Sequence, residues 1–334
     1  MLPVIYVRMS KSQDHEANIQ GLLFGLIIPT TLILIIAKTF GTVANDWEAS
    51  LHADGLAEGF LAYRLGKVII SFSRTGIGFV LASLICASTA IAYSGVNTKY
   101  RLLAGACLIS NIFLLLATGS FGSIIAVLCG LAAIFYTQLR KVRITKVITS
   151  ITVVCCIVLL VYGLSPSSTK KYLGKRYEHR VVEMDTDRLT LWSRAIDYLV
   201  EHPQGVGLTF TVGEVVQSHP HNDYIAYLVS YGVIGGLAYP FLLIGLFIYF
   251  SNRRRRRIEN NNAFAIHLAG FGVVVAFMIN SMTDNIAVNR WYFNMIWSLI
   301  WYCYFCSRAA QSVIVPDEVT EKTAVAETTI PQLK

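Results

Sequence analysis

The chain has 334 residues, 54% of them hydrophobic and only 14% charged, with a formal net charge of +8. An average soluble domain is about 25% charged, so this chain has too little charge to cover its apolar surface in water. A soluble enzyme, a disordered chain and a small disulfide scaffold are excluded. The composition predicts an all-α polytopic membrane protein, in which each spanning helix needs about 20 apolar residues.

Eight apolar runs follow one another, at 19–37, 68–93, 102–117, 121–137, 144–164, 222–250, 264–282 and 291–306. A membrane domain is therefore expected over residues 1–306. The first 18 residues are polar and the run behind them is too long for a signal-peptide core, so no cleavable signal is expected. Arg64 stands just before the second run and Arg74 lies inside it, in SFSRTG (71–76). The turn between the third and fourth runs reads ATGSFGS (117–123). Beyond the fifth run comes a long polar loop, 165–220, rich in basic residues that include Lys170, Lys171, Lys175, Arg176 and Arg180. Loops of this length in compact proteins are functional or disordered. This one predicts a helix from Asp187 to Val200, with Leu189, Trp192, Ile196 and Leu199 on one face. Such a stripe suits a helix lying on the membrane face or packed on the bundle. The turn HPQGVG (202–207) ends it. HPHNDYI (219–225) then leads into the sixth run.

Arg253–Arg257 separates the sixth and seventh runs. Cytoplasmic loops collect Lys and Arg, so this segment is placed in the cytoplasm. Alternation outward from it puts both termini on the same side, with Lys99, Arg101, Arg140, Lys141, Arg143 and Lys146. The positive balance is thus read as topology, with membrane lipids and not nucleic acid as the partner. The 165–220 loop falls on the outer face, with Arg64, Arg74, Asp284, Asn285 and Arg290 near the same surface. All seven cysteines lie in apolar runs and read as small buried hydrophobes. Cys303 and Cys306 form a CxxC with no second ligand pair, so no metal site is expected. The tail 307–334 is polar, with a disordered cytoplasmic end expected.

Two clusters carry chemistry. In His219-Pro220-His221-Asn222-Asp223-Tyr224, Pro220 holds His219 out of helical geometry, and His221 falls in or just before the first helical turn. The free N–H groups of that turn disfavour imidazolium, which keeps the imidazole available as a base, and they attract phosphate. Arg188, one turn before Trp192, offers a bidentate fork to a diphosphate. The same residues also fit an interfacial helix cap and a solvated charged loop, and both readings stay open at this point. No P-loop, GxSxG or dinucleotide fingerprint is present.

DRLTLWSRAIDYLVEHPQGVG (187–207) followed by SHPHNDYIAYLVSYGVIGG (218–236) resembles the signature of the O-antigen ligase/O-antigen polymerase family, bacterial inner-membrane glycosyltransferases. An Arg shortly before an aromatic, a Pro-x-Gly-x-Gly-like turn, and a His-Asn motif entering a helix with Tyr-Gly-x-x-Gly occur in order. The resemblance covers about 55–306 and implies a glycan donor linked to undecaprenyl diphosphate. The acceptor would be lipid A-core for a ligase or a second lipid-linked glycan for a polymerase. It further implies reaction at the periplasmic face without cofactor or metal. His221 matches the motif His, the base on the acceptor hydroxyl. Arg188 matches the loop Arg that holds the diphosphate, and Arg64 and Arg290 match further basic positions. Substrate contacts are also expected from Arg74, His219, Asn222, Asp223 and Arg180. One base opposite the leaving group implies single displacement with inversion.

Two departures from the family stand out. Phe121 occupies a position where ligases often carry Arg, with Arg74 a candidate substitute. About eight spans replace the usual ten to twelve, as expected of a short or N-terminally truncated member. The expected function is ligase, ahead of polymerase. A lipid-linked oligosaccharide transporter is disfavoured because the charges keep to one face. An inactive membrane subunit is the remaining alternative.

Overall fold

A computed structural model describes residues 14–40, 60–65, 68–118, 120–138, 163, 188–207, 220–252, 260–283 and 290–311. Helix α1 (His15–Leu22) runs through a π-helical stretch, Leu23–Ile27, into α2 (Ile28–Phe40). A hairpin of β1 (Phe60–Leu65) and β2 (Val68–Ser73) follows, and then α3 (Arg74–Tyr93), α4 (Thr98–Thr118) and α5 (Phe121–Gln138). After α6 (188–201) come α7 (Asp223–Ser251), α8 (Asn261–Thr283) and α9 (Arg290–Gln311).

Five described segments are long and apolar enough to cross a membrane: His15–Ile36, Gly76–Tyr93, Thr98–Leu116, Asp223–Ser251 and Asn261–Thr283. The shorter Phe121–Thr137 is also apolar, and the 144–164 run lies outside the described residues. The chain is thus a helical, multi-pass membrane protein, with one correction to the all-α expectation. Residues 68–73, read as the start of a membrane helix, form a strand whose partner carries Arg64 opposite Ile69. VIISFS is β-branched and aromatic with no helical punctuation, and it pairs readily with FLAYRL. Helix begins only at Arg74.

Helices α3 and α8 form the centre and are buried on nearly every side. Glycines let their neighbours come close. A Cβ on Gly130 of α5 would strike Cys86 of α3 and the carbonyl of Gly272 on α8, and one on Gly270 would strike Phe250 and Cys303. Buried polar side chains fix helices to one another. His267 of α8 lies 2.9 Å by Nε2 from the carbonyl of Phe250 and 2.7 Å by Nδ1 from Ser307 Oγ. A carbonyl only accepts, so Nε2 carries the proton and Ser307 donates to Nδ1. Ser307, expected to open the tail, is fully buried, and α9 continues to Gln311. Near the start of α1, Tyr302 donates to the carbonyl of Asn18 and Tyr100 donates to Glu16.

Candidate functional site

Helix α7 is two helices meeting at a sharp bend. Gly232 has φ 72° and ψ 179°, a region open essentially to glycine alone. The arms 223–231 and 233–251 fold back on each other. Tyr227 stacks on Tyr239 with ring centroids 4.3 Å apart, whereas twelve residues along a straight helix span about 18 Å. A Cβ on Gly236 would meet the backbone of Leu228.

The HPQGVG turn is stitched into the bend. Val206 and Gly207 donate their N–H groups to the carbonyls of Val229 and Ser230, at 2.9 and 3.0 Å, and Val233 donates to Pro203 at 2.9 Å. The turn thereby satisfies backbone groups that the broken helix leaves open. Gly205 and Gly207 take positive φ to do so. Gly205 and Gly232 lie backbone to backbone, with no room for a Cβ on either.

Helix α6, predicted from 187 to 200, spans 188–201 and packs on the short arm of α7. Its buried residue is Ala195, against Val229 with Tyr198, Val206 and Ile225 around them. Of the expected apolar stripe, Trp192 and Leu199 are half-buried, whereas Leu189 and Ile196 are 60% and 51% exposed. The small Ala195 allows close approach, which turns the larger side chains outward. Trp192 stays on the packed side, half-buried, and its indole Nε1 donates to the carbonyl of Pro220 at 2.7 Å. Arg188, one turn earlier and half-buried, stands on that same side.

Trp192 thus holds the backbone that sets His221. Pro220 is buried and His221 is exposed, with φ 48°. The left-handed region is uncommon for a residue other than glycine, although His is enriched there. Asn222 is the N-cap of α7, its Oδ1 accepting from Tyr224 and Ile225 N–H at 3.0 and 3.3 Å. Asp223, the first helical residue, is fully buried. Tyr224 donates to the carbonyl of Met278, and Tyr239 shares a 2.8 Å hydrogen bond with Ser281. The His-Asn-Asp segment is therefore fixed against the C-terminal end of α8.

Further polar groups gather at that end of the bundle. Ser120 and Ser123 lie 2.9 Å apart by their hydroxyls, against Gly78 of α3. Gly122 meets Thr283, and Gly76 meets Tyr292. Arg74 and Arg290, the first residues of α3 and α9, are placed by their backbones at this end, as is Phe121, 40% exposed at the start of α5. Asn280 is fully buried, and neither polar atom of its side-chain amide has a hydrogen-bond partner among the described residues. His219, Arg180, Asp284 and Asn285 lie outside the described residues. The structure thus ties the helix that carries Arg188, through Trp192, to the Pro220 carbonyl beside His221, Asn222 and Asp223, and sets Arg74 and Arg290 at the same end of the bundle. Arg64 is placed on β1 only. Tyr239, Asn280 and Ser281 escaped the sequence reading: Tyr239 sat in an apolar run, and its partner Ser281 is 42 residues away.

No curated protein matches the chain significantly. The family model described as O-antigen ligase matches residues 106–240, a stretch that holds the Ser120 turn, α6, the stitched turn, the His-Asn-Asp segment and the bend at Gly232. Over that stretch the chain is similar to the O-antigen ligases.

Proposed function

We propose that this protein is a metal-independent, inverting glycosyltransferase of the ligase type. It moves a glycan from undecaprenyl diphosphate to lipid A-core at the periplasmic face of a bacterial inner membrane. In this reading eight helices span the membrane, both termini are cytoplasmic, residues 307–334 form a cytoplasmic tail, and 165–220 is periplasmic. The observation that carries it is the Trp192–Pro220 hydrogen bond, which ties the helix of Arg188 to the backbone of His221.

His221 takes the proton of the acceptor hydroxyl as that oxygen attacks the anomeric carbon. The bond from that carbon to the diphosphate oxygen breaks, and its electron pair leaves with the diphosphate. Arg188 holds the departing charge with its planar fork, and the N–H groups at the start of α7 add to the positive field. The proton then passes from His221 to bulk water. A general base contributes about 10²–10⁴-fold. Holding two lipid-anchored substrates in one membrane plane removes much of the entropy of encounter. Arg74, Arg290, Arg64, Arg180 and His219 complete the anionic surround, with Arg74 covering for the arginine that Phe121 replaces.

In membranes containing donor and acceptor, His221→Ala is expected to lower transfer 10²–10⁴-fold with unchanged protein level. Activity above a tenth of wild type would remove His221 as the base. The lipopolysaccharide profile of a deletion strain separates the two family activities. Loss of all long chains on core identifies a ligase, and core bearing a single repeat identifies a polymerase.

A further inference from the structure

Between the 233–251 arm of α7 and helix α9 lies a cavity of about 850 Å³, within the range of small-molecule sites. Its α7 wall is Gly235, Ala238, Tyr239 and Leu242, the spacing of one helical face, and Trp297 and Trp301 line it from α9. The groove therefore runs parallel to the helices for about 10 Å. Tyr231 and Leu242 on its rim are 46% and 41% exposed, so it opens sideways. Tyr227, which lines it, belongs to the arm that begins at Asp223, so the groove borders the arm that carries the His221 segment. A lateral groove beside a polar segment fits a lipid tail entering from the bilayer.

Polarity decides which lipid. Trp297 is 8% exposed, and its indole N–H has no acceptor among the described residues. A buried donor without a partner is unfavourable, so a ligand bearing an acceptor at that depth is selected. Asn294 and Ser298 stand beside it on the same helix, and among the described residues no lining side chain is charged. An isoprenoid chain is pure hydrocarbon up to its diphosphate, and an uncharged groove gives a diphosphate no counter-charge. An acyl chain carries an ester or amide carbonyl where it leaves the headgroup. Trp297 lies about 10 Å along α9 from Arg290, toward the boundary of the hydrocarbon layer where such carbonyls sit.

We propose that this groove binds an acyl chain of the acceptor glycolipid, with Trp297 donating to its ester or amide carbonyl. The assignment rests on the ligase reading, since a polymerase would present a second isoprenoid lipid.

The full-length protein in detergent, titrated with lipid A and separately with undecaprenyl phosphate under native mass spectrometry, tests it. Trp297→Phe keeps a ring and loses the N–H, and lipid A binding is expected to weaken about tenfold. Ala238→Trp fills the groove and should abolish it. Both variants should bind undecaprenyl phosphate as wild type does, which also shows that they fold. The proposal is overturned if either variant loses undecaprenyl phosphate instead, if both keep lipid A, or if phosphatidylethanolamine displaces lipid A at equal concentration. Groove-dependent lipid A binding in a wild-type protein without transfer activity would overturn the transferase reading and support the groove. Transfer with an unchanged KM for lipid A-core in Ala238→Trp would overturn the groove alone.

Discussion

Replacing Gly232 with alanine tests whether the bend in α7 holds the site together. At φ 72° and ψ 179° an L-residue carries about 1–3 kcal/mol of backbone strain. The new Cβ would also strike the backbone of Pro203 and Gln204, which has no side chain to yield. Relieving that clash means withdrawing the turn and losing the three hydrogen bonds that Val206, Gly207 and Val233 donate, each about 0.5–1.5 kcal/mol. The total is about 3–7 kcal/mol, charged almost entirely to the docking of one turn. Gly245→Ala is the control, because nothing lies within 4 Å of the Cβ it would add. Hydrogen exchange by mass spectrometry should show residues 203–207 and the 223–231 arm losing at least tenfold in protection in Gly232→Ala, with α3 and α8 unchanged. Transfer should fall by two decades or more. Wild-type protection in 203–207 would refute the account of the turn as a backbone patch on a broken helix.

Three further outcomes are expected. Arg188→Lys should be impaired nearly as much as Arg188→Ala, by one to two decades in transfer rate, because Lys loses the planar fork; a rate near wild type for Lys would reduce Arg188 to a point charge. Trp192→Phe removes one hydrogen bond to Pro220, about 1 kcal/mol, and should lower kcat with donor KM little changed, as steady-state kinetics would read. His267→Phe leaves the Ser307 hydroxyl and the Phe250 carbonyl buried without partners, about 1–3 kcal/mol each. A lowered Tm with unchanged KM for both substrates is the expected result, and an unshifted Tm would show that the cluster carries no stability.

The sequence made local features legible and left long-range ones hidden. Apolar length gave the helices around Ile19, Ile85 and Val273, because a bilayer imposes it residue by residue. The C-terminal end of α6 came out within one residue because the Pro203 turn ends the helix in the local sequence. The contact of α6 with α7 through Ala195 was not legible, because a hydrophobic stripe undervalues a small residue beside Leu189 and Ile196. The bend at Gly232 lay inside an unbroken apolar run, where a single glycine carries no signal by itself. Its cause, the backbone of Gln204, sits 28 residues earlier in the chain. Asn222 and Asp223 were legible as helix-start residues, but the pairing of Tyr239 with Ser281 needs the tertiary fold.

The bend also settles a question of thickness. A straight α7 of 29 residues would be about 43 Å long, well beyond a hydrocarbon layer of about 30 Å. Such a helix would have to tilt steeply or leave apolar turns in water. Folding at Gly232 leaves the 233–251 arm at about 28 Å, a near match to the bilayer. The remaining arm doubles back beside it and carries its N-terminus about 13 Å down from the vertex to the flank of Tyr239. His221 therefore lies about 13 Å below the level of Gly232, beside the span, and not at the crest to which a straight helix would carry it.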